Sequence, residues 1–146
     1  MIIESETLNY WIEKYERKTG EQFKVPKGFR LFFLPARGFA QFKVDQQGKM
    51  LVVYQLCGDA NFWRDLGEII CWQNDLRYIS TICTRSIKPY IRLFGWSIIS
   101  EFEKNSQKRF ICKDKQDRKI IITHKGKDTD EKLPTYWVTH YLRERV

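Results

Sequence analysis

The sequence predicts an α/β fold of the α+β kind, in which helices pack on one mixed, twisted β-sheet. Two observations predict it: β-hairpin patterns lie towards both ends of the chain, and strands alternate with a helix only in the middle. The chain has 146 residues, of which 42% are apolar and 15% aromatic. This is enough to fill one core, so residues 1–146 are expected to form a single domain.

The chain should begin with an amphipathic helix. Its apolar residues recur at spacings of three and four, namely Leu8, Trp11, Ile12 and Tyr15. Ser5 or Thr7 is placed to cap this helix, and Gly20 is placed to end it. The run "FRLFFL", closed by Pro35, then suits a buried strand better than a helix.

A first hairpin is predicted where "FAQFKVD" and "MLVVYQL" flank the turn "QQGK". Gly48 in this turn is expected to take a left-handed backbone conformation. Because "MLVVYQL" is apolar on both faces, it should be a central strand that is covered on two sides.

A helix, a strand and a short apolar segment follow the first hairpin. The helix is predicted from Ala60 to Leu76, with an apolar stripe formed by Phe62, Leu66, Ile69, Ile70 and Gln73 and widened by Trp63 and Trp72. The strand is "RYISTICT", and in the segment "SIKPYIRLFGW" we expect Leu93, Phe94 and Trp96 to be buried.

The rest of the chain is predicted to be mainly strands. "SIISEFE" is strand-like, and "RFICKD" and "KIIITHK" around "KQDR" form a second hairpin. For the tail "LPTYWVTHYLRERV" two interpretations stay open: its alternation favours a strand, whereas the part from Tyr141 onward also suits a helix.

Composition limits the class of protein. No run approaches the ~18 apolar residues of a membrane span, and the first residues lack a signal-peptide pattern, so a cytoplasmic protein is expected. The four cysteines are widely spaced and only two histidines accompany them. Reduced, buried thiols are therefore expected, and no metal site. The net charge of +8 favours an anionic partner: a nucleic acid, a nucleotide-like cofactor or an acidic protein.

The turn between the central strand and the second helix is the main candidate site. Unpaired amides at a helix N-terminus, together with the helix dipole, can hold a pyrophosphate without a basic side chain. Gly58 and Ala60 provide the small residues that such a close approach needs. The alternative is structural: Gly58 is a turn glycine, and Asp59 or Asn61 caps the helix.

Gln55, Gly58 and Ala60 spell QxxGxA, which resembles the (Q/R)xxGx(G/A) pyrophosphate loop of the GNAT superfamily of N-acyltransferases. The segment "PYIRLFGW" also resembles this family's closing "YxxxGF" stretch. The similarity covers roughly residues 28–124. It implies that the central strand splays from its following neighbour and that acetyl-CoA, or another acyl-CoA, binds in the cleft. It implies cofactor contacts with Val53, Gln55, Cys57, Gly58, Asp59, Ala60 and Asn61.

The resemblance also implies roles in catalysis. The family's usual general acid falls at Ile91, so the neighbouring Tyr90 is the candidate acid toward the leaving thiolate. Glu101 is the first candidate for the base, and Glu103, His124 and His140 are the others. Each of the four also suits a solvated surface position. Cys57 is a candidate nucleophile, because a helix N-terminus lowers the pKa of a thiol. The alternative is that only the backbone amide of Cys57 contributes to the site.

Three functions remain open from the sequence. The first is transfer of an acyl group from acetyl-CoA to an amine acceptor. The second is a catalytically inactive interaction protein on the same scaffold, of phage or mobile-element origin. The third is binding of a nucleic acid, or of another macromolecule, through the basic residues of the C-terminal hairpin region, namely Lys104, Lys108, Arg109, Lys113, Lys115, Arg118, Lys119, Lys125 and Lys127.

Overall fold

The computed structural model describes residues 7–83, 88–105, 107–127 and 134–142. Within them the helices are α1 (Leu8–Thr19), α2 (Ala60–Gln73) and α3 (Lys88–Phe94). The strands are β1 (Arg30–Leu34), β2 (Gly38–Asp45), β3 (Met50–Gly58), β4 (Tyr78–Cys83), β5 (Ser97–Lys104), β6 (Gln107–Lys113), β7 (Lys119–Lys127) and β8 (Pro134–Tyr141). In this part of the chain no helix is long and apolar enough to cross a membrane.

The eight described strands form one mixed sheet in the order β1-β2-β3-β4-β8-β7-β6-β5. All neighbouring strands are antiparallel except β3 and β4, which are parallel and are joined through α2. This confirms the predicted α+β fold and both hairpins. The tail is a strand through Tyr141, and residues 143–146 lie outside the described residues.

Helices cover both faces of the central strand β3, as its apolar sequence predicts. On one face, α2 buries Trp63 and Cys71 against Leu51 and its neighbours. On the other face, α1 packs Tyr15 on Phe39 and Cys57. A third apolar cluster lies under α3, around Cys112, Ile120, Ile122 and Val138. The predicted burial of free thiols is confirmed for Cys57, Cys71 and Cys112.

Helix α1 ends where the sequence predicts. Thr7 is its N-cap and accepts a hydrogen bond from the Tyr10 amide, and Gly20 is its left-handed C-cap at φ 72°. In the first hairpin, however, Lys49 rather than Gly48 has a positive φ, of 54°. The prediction for Gly48 was wrong because the turn places its left-handed residue one position later.

The apolar stripe of α2 is narrower than predicted. Trp63, Gly67 and Cys71 are buried and recur every four residues, which defines the face that packs on the sheet. Ile69 and Trp72 lie on the opposite side and are 52% and 58% exposed. Both were expected in the core.

The segment after β4 also departs from expectation at one residue. Phe94 and Trp96 are partly buried, and Trp96 packs against the α3 cluster. Leu93, which was predicted to be buried, is 48% exposed. A seven-residue helix can turn only one side to the sheet, and in α3 Ile91 occupies that side.

Candidate functional site

Strands β3 and β4 separate at their carboxyl ends. Their parallel pairing runs from Met50↔Tyr78 to Val53↔Thr81 and ends there, whereas β3 continues to Gly58. β4 meanwhile stays paired with β8 up to Cys83↔Tyr136. The sheet is therefore forked after Val53, which confirms the splayed strands expected from the resemblance.

A β-bulge coincides with the start of the fork. Ala40 of β2 pairs with Leu56 of β3, whereas Phe42, two residues later in β2, pairs with Val53, three residues earlier in β3. β3 therefore carries one extra residue there. Bulges increase local strand twist, which turns β3 away from β4. At the last paired position the Thr81 hydroxyl donates to the Val53 carbonyl over 3.0 Å, and this bond closes the base of the fork.

The Gln55 side chain of the predicted motif is buried on the α1 face. It donates to the Gln22 carbonyl (3.0 Å) and accepts from the Lys24 amide and from Gln41, each at 3.3 Å. Gln55 therefore fixes the connection between α1 and β1. Its contacts do not extend to the N-terminus of α2.

Gly58 lies where two backbone segments touch. It pairs with Gly38 across β2 and β3, and a Cβ at Gly58 would lie 2.2 Å from the Arg37 carbonyl oxygen. Its φ of 109° is also a conformation that side chains disfavour. Gly58 is thus needed to bring the β1–β2 turn against α2, which is the structural interpretation of this glycine.

The Arg37 carbonyl is the acceptor that fixes this turn. It receives the Asp59 amide at 2.9 Å and the indole N–H of Trp63 at 2.7 Å. The amide of Asp59, one of the predicted cofactor contacts, is therefore already engaged in this structure.

Asp59 is the N-cap of α2. Its carboxylate accepts from the Phe62 amide at 3.1 Å and forms an ion pair with the Arg37 guanidinium, which lies 5.0 Å from the centre of the Phe62 ring. The Phe62 amide, followed by Arg37, holds the pKa of the Asp59 carboxyl below its usual value. Sequence reasoning missed Arg37, because nothing in the sequence links it to a residue 22 positions later.

The predicted cofactor contacts are consecutive at the open end of the fork: Cys57 and Gly58 end β3, Asp59 is the N-cap, and Ala60 and Asn61 begin α2. Val53 marks the base of that fork. Burial raises the pKa of the Cys57 thiol, which disfavours the thiolate that a nucleophile requires. The cofactor-binding residues stay predictions.

The two predicted catalytic residues lie on different elements, Tyr90 on α3 and Glu101 on β5. Tyr90 lies in α3, directly after β4, and its side chain falls outside the described residues. Glu101 lies on β5, the far edge strand, roughly 19 Å from β4 at ~4.8 Å per strand spacing. There its carboxylate pairs with Lys108 over 2.6 Å. The structure therefore does not bring Glu101 to the fork.

His140, expected at the surface, is instead buried in a polar cluster. Its Nε2 lies 2.8 Å from Asp114, which also accepts from Arg118 at 2.7 Å, and Arg118 reaches Glu68 of α2 at 2.5 Å. Burial lowers the pKa of His140, although the Asp114 carboxylate opposes that effect. This cluster stabilises the contact between α2 and the β6–β7 turn.

The basic C-terminal region is interleaved with acidic partners. Lys108 pairs with Glu101, Lys113 with Asp117, and Arg118 with Asp114 and Glu68. The side chains of Lys125 and Lys127 lie outside the described residues. A macromolecular partner for this surface stays a prediction.

Comparison with solved structures identifies the fold. The ribosomal-protein-S18-alanine N-acetyltransferase from Escherichia coli superposes with a TM-score of 0.51 over 100% of this chain and 94% of that enzyme, at 11% sequence identity. No family model matches the sequence. No curated protein matches it either. At this identity the likeness concerns the fold, and it agrees with the forked sheet: the chain has the GNAT N-acyltransferase fold.

Proposed function

We propose that this chain binds acetyl-CoA, or a related acyl-CoA, in the fork between β3 and β4 and transfers the acyl group to an amine. The observation that carries the proposal is the fork itself, which opens after Val53 and ends beside the N-terminus of a 14-residue helix. The edge of β3 that β4 leaves beyond Val53 would offer backbone hydrogen bonds to an extended acyl-CoA, and the N-terminus of α2 would offer positive charge to its phosphates.

The two ends of acyl-CoA would meet different parts of this site. The pantetheine arm would pair with the β3 backbone between Val53 and Gly58, as an added strand does. The pyrophosphate would lie at the first turn of α2, near Ala60 and Asn61. Residues of β3 therefore position the thioester, and α2 supplies the charge.

The reaction requires attack of a neutral amine on the thioester carbonyl carbon. A C–N bond forms, the C–S bond breaks, and the departing thiolate takes a proton from an acid. Ile91 stands at the family's usual position for this acid, but its side chain packs against the sheet and carries no proton to donate. We therefore propose that the neighbouring Tyr90, about 100° away around the helix, is the acid. The proton that the amine loses goes to solvent water.

Thermal unfolding with acetyl-CoA tests the binding step. A ligand at about 100 times its Kd adds about 2.7 kcal/mol of stability, which raises the Tm of a chain of this size by several degrees. Asn61→Glu should abolish this shift, because it places negative charge at the second residue of α2. The variant should still fold, since acidic residues are favoured in the first turn of a helix.

Asn9→Glu is the matched control, because Asn9 is the second residue of α1 and is exposed. It makes the same substitution at the same helix position away from the fork, and it should keep the full ligand shift. An unchanged Tm of the wild type at millimolar acetyl-CoA would refute binding.

Release of free thiol from acetyl-CoA in the presence of a panel of amines tests the reaction. Tyr90→Phe should lower the rate of thiol release without changing the acetyl-CoA-induced Tm shift, because it removes a proton donor and not a binding group. Equal rates in the variant and the wild type would exclude Tyr90 as the acid.

An inactive interaction protein is the second candidate. It is favoured by Asp59, whose carboxylate already occupies the anion-binding end of α2. Binding of acetyl-CoA without release of free thiol from it, whichever amine of the panel is added, would support this candidate over the enzyme.

A further inference from the structure

The N-terminus of α2 already holds an anion that belongs to the chain. The Asp59 carboxylate accepts a hydrogen bond from the Phe62 amide and pairs with Arg37. It thereby uses a first-turn amide and the cation that a phosphate at this helix end would use. The helix end is thus satisfied by the chain's own charge.

Arg37 is positioned independently of its ion pair. Its carbonyl is fixed by the Asp59 amide and by the Trp63 indole, and its guanidinium lies against the Phe62 ring. The Arg37 side chain is 48% exposed. Its guanidinium therefore stays near the start of α2 when Asp59 loses its charge, and it can pair with a different anion from solvent.

We propose that Asp59 is an internal competitor for the phosphate site, and that Arg37 exchanges Asp59 for a phosphate of the incoming acyl-CoA. This inference rests on the proposed function and concerns its regulation. A self-occupied site lowers affinity for CoA, because binding must break the Arg37–Asp59 pair and bring a phosphate near a carboxylate. Phosphate contacts, and not pantetheine contacts, should therefore limit affinity.

Calorimetric titration with CoA at low ionic strength tests the exchange. Asp59→Asn removes the charge but keeps a side-chain oxygen that can cap α2, since Asn is among the best N-cap residues. We expect this variant to bind CoA on the order of ten-fold more tightly than the wild type, from the loss of one like charge at a distance of several ångströms. An Asp59→Asn variant that binds CoA as the wild type does, or more weakly, would overturn the inference.

The role of Arg37 is tested in the Asp59→Asn background, where its guanidinium has lost its carboxylate partner. Adding Arg37→Gln should weaken CoA binding by roughly ten-fold, because a charged hydrogen bond to phosphate is lost. The backbone contacts of residue 37 remain, so the turn is retained. Equal CoA affinity of the single and double variants would show that Arg37 serves only to hold Asp59, and would refute the exchange.

Pantetheine, which has no phosphate, is the ligand control. It should bind all three proteins equally if the substitutions act only at the phosphate end. A ten-fold change in pantetheine affinity would place the effect elsewhere and overturn the inference. If the wild type binds CoA and Asp59→Asn binds it no more tightly, the inference alone is refuted. If none of the three proteins binds CoA, the proposed function is refuted and the inference with it.

Discussion

Gly58→Ala distinguishes the two interpretations of the glycine in the QxxGxA turn. If Gly58 only gives space to a phosphate, alanine should affect ligand binding and leave the free protein nearly unchanged. The structure predicts the opposite, because the new Cβ would lie 2.2 Å from the Arg37 carbonyl oxygen and 3.0 Å from the Gly38 Cα. The variant should therefore be destabilised without any ligand.

The expected cost has two parts. A left-handed or related positive-φ conformation costs an alanine about 1–2 kcal/mol. Moving the Arg37 carbonyl aside also weakens its bonds to Asp59 and Trp63, each worth about 1 kcal/mol. Gly58→Ala should thus lower the free energy of unfolding by about 3–4 kcal/mol.

Gly20→Ala is the matched control for backbone strain. Gly20 has a positive φ of 72°, but a Cβ there would meet nothing within 4 Å. This variant should therefore lose only about 1–2 kcal/mol. Urea unfolding of both variants, analysed by linear extrapolation, measures the difference. Equal losses in free energy of unfolding would refute the argument that close backbone approach requires glycine at position 58.

Three further predictions concern stability. Burial lowers the pKa of His140 in the folded protein, so the unfolded chain, in which this pKa is about 6.5, takes up a proton first as the pH falls. The free energy of unfolding should therefore drop below pH 6.5, by at most ~1.4 kcal/mol per pH unit. Urea unfolding at pH 7, 6 and 5 measures this dependence, and His140→Gln should flatten it. Thr81→Val should cost about 1 kcal/mol by removing the donor to the Val53 carbonyl, and an unchanged urea midpoint would contradict the role of that bond. Trp63→Phe should cost about 2 kcal/mol, since it removes the indole donor to Arg37 and part of a buried ring; stability equal to wild type by the same measurement would argue against both contributions.

Most of the fold follows from local pattern. Helical spacing with a cap at each end predicts α1, and the doubly apolar run from Met50 predicts a central strand covered by helices on both faces. Periodicity fails for α2, where Ile69 and Trp72 extend an apolar stripe that a single sheet cannot cover. The side that a helix buries depends on its contact with the sheet, and composition does not specify that contact.

The candidate site is less predictable because it is made by contacts between distant residues. The strand-to-helix turn is visible in the sequence as one glycine followed by a capping residue. Its partner Arg37 lies in a different turn, and His140 joins a cluster that spans α2, β8 and the β6–β7 turn. A lone acidic or basic residue gives no signal of such a partner or of its distance from the site, and the candidate base Glu101 lies on the far edge strand.

The extra residue in β3 connects the hairpin register to the shape of the site. Near the turn, Val44 pairs with Leu51, and continuing that register without a bulge would set Gly38 opposite Cys57. The bulge shifts the pairing so that Gly38 meets Gly58, and only two residues without a Cβ allow backbones as close as these. Because bulges also increase twist, the same residue coincides with the end of pairing between β3 and β4. The fork and the register of the closed turn at its mouth therefore both begin at one local irregularity between Val53 and Leu56, and the continuous strand pattern of the sequence gives no sign of it.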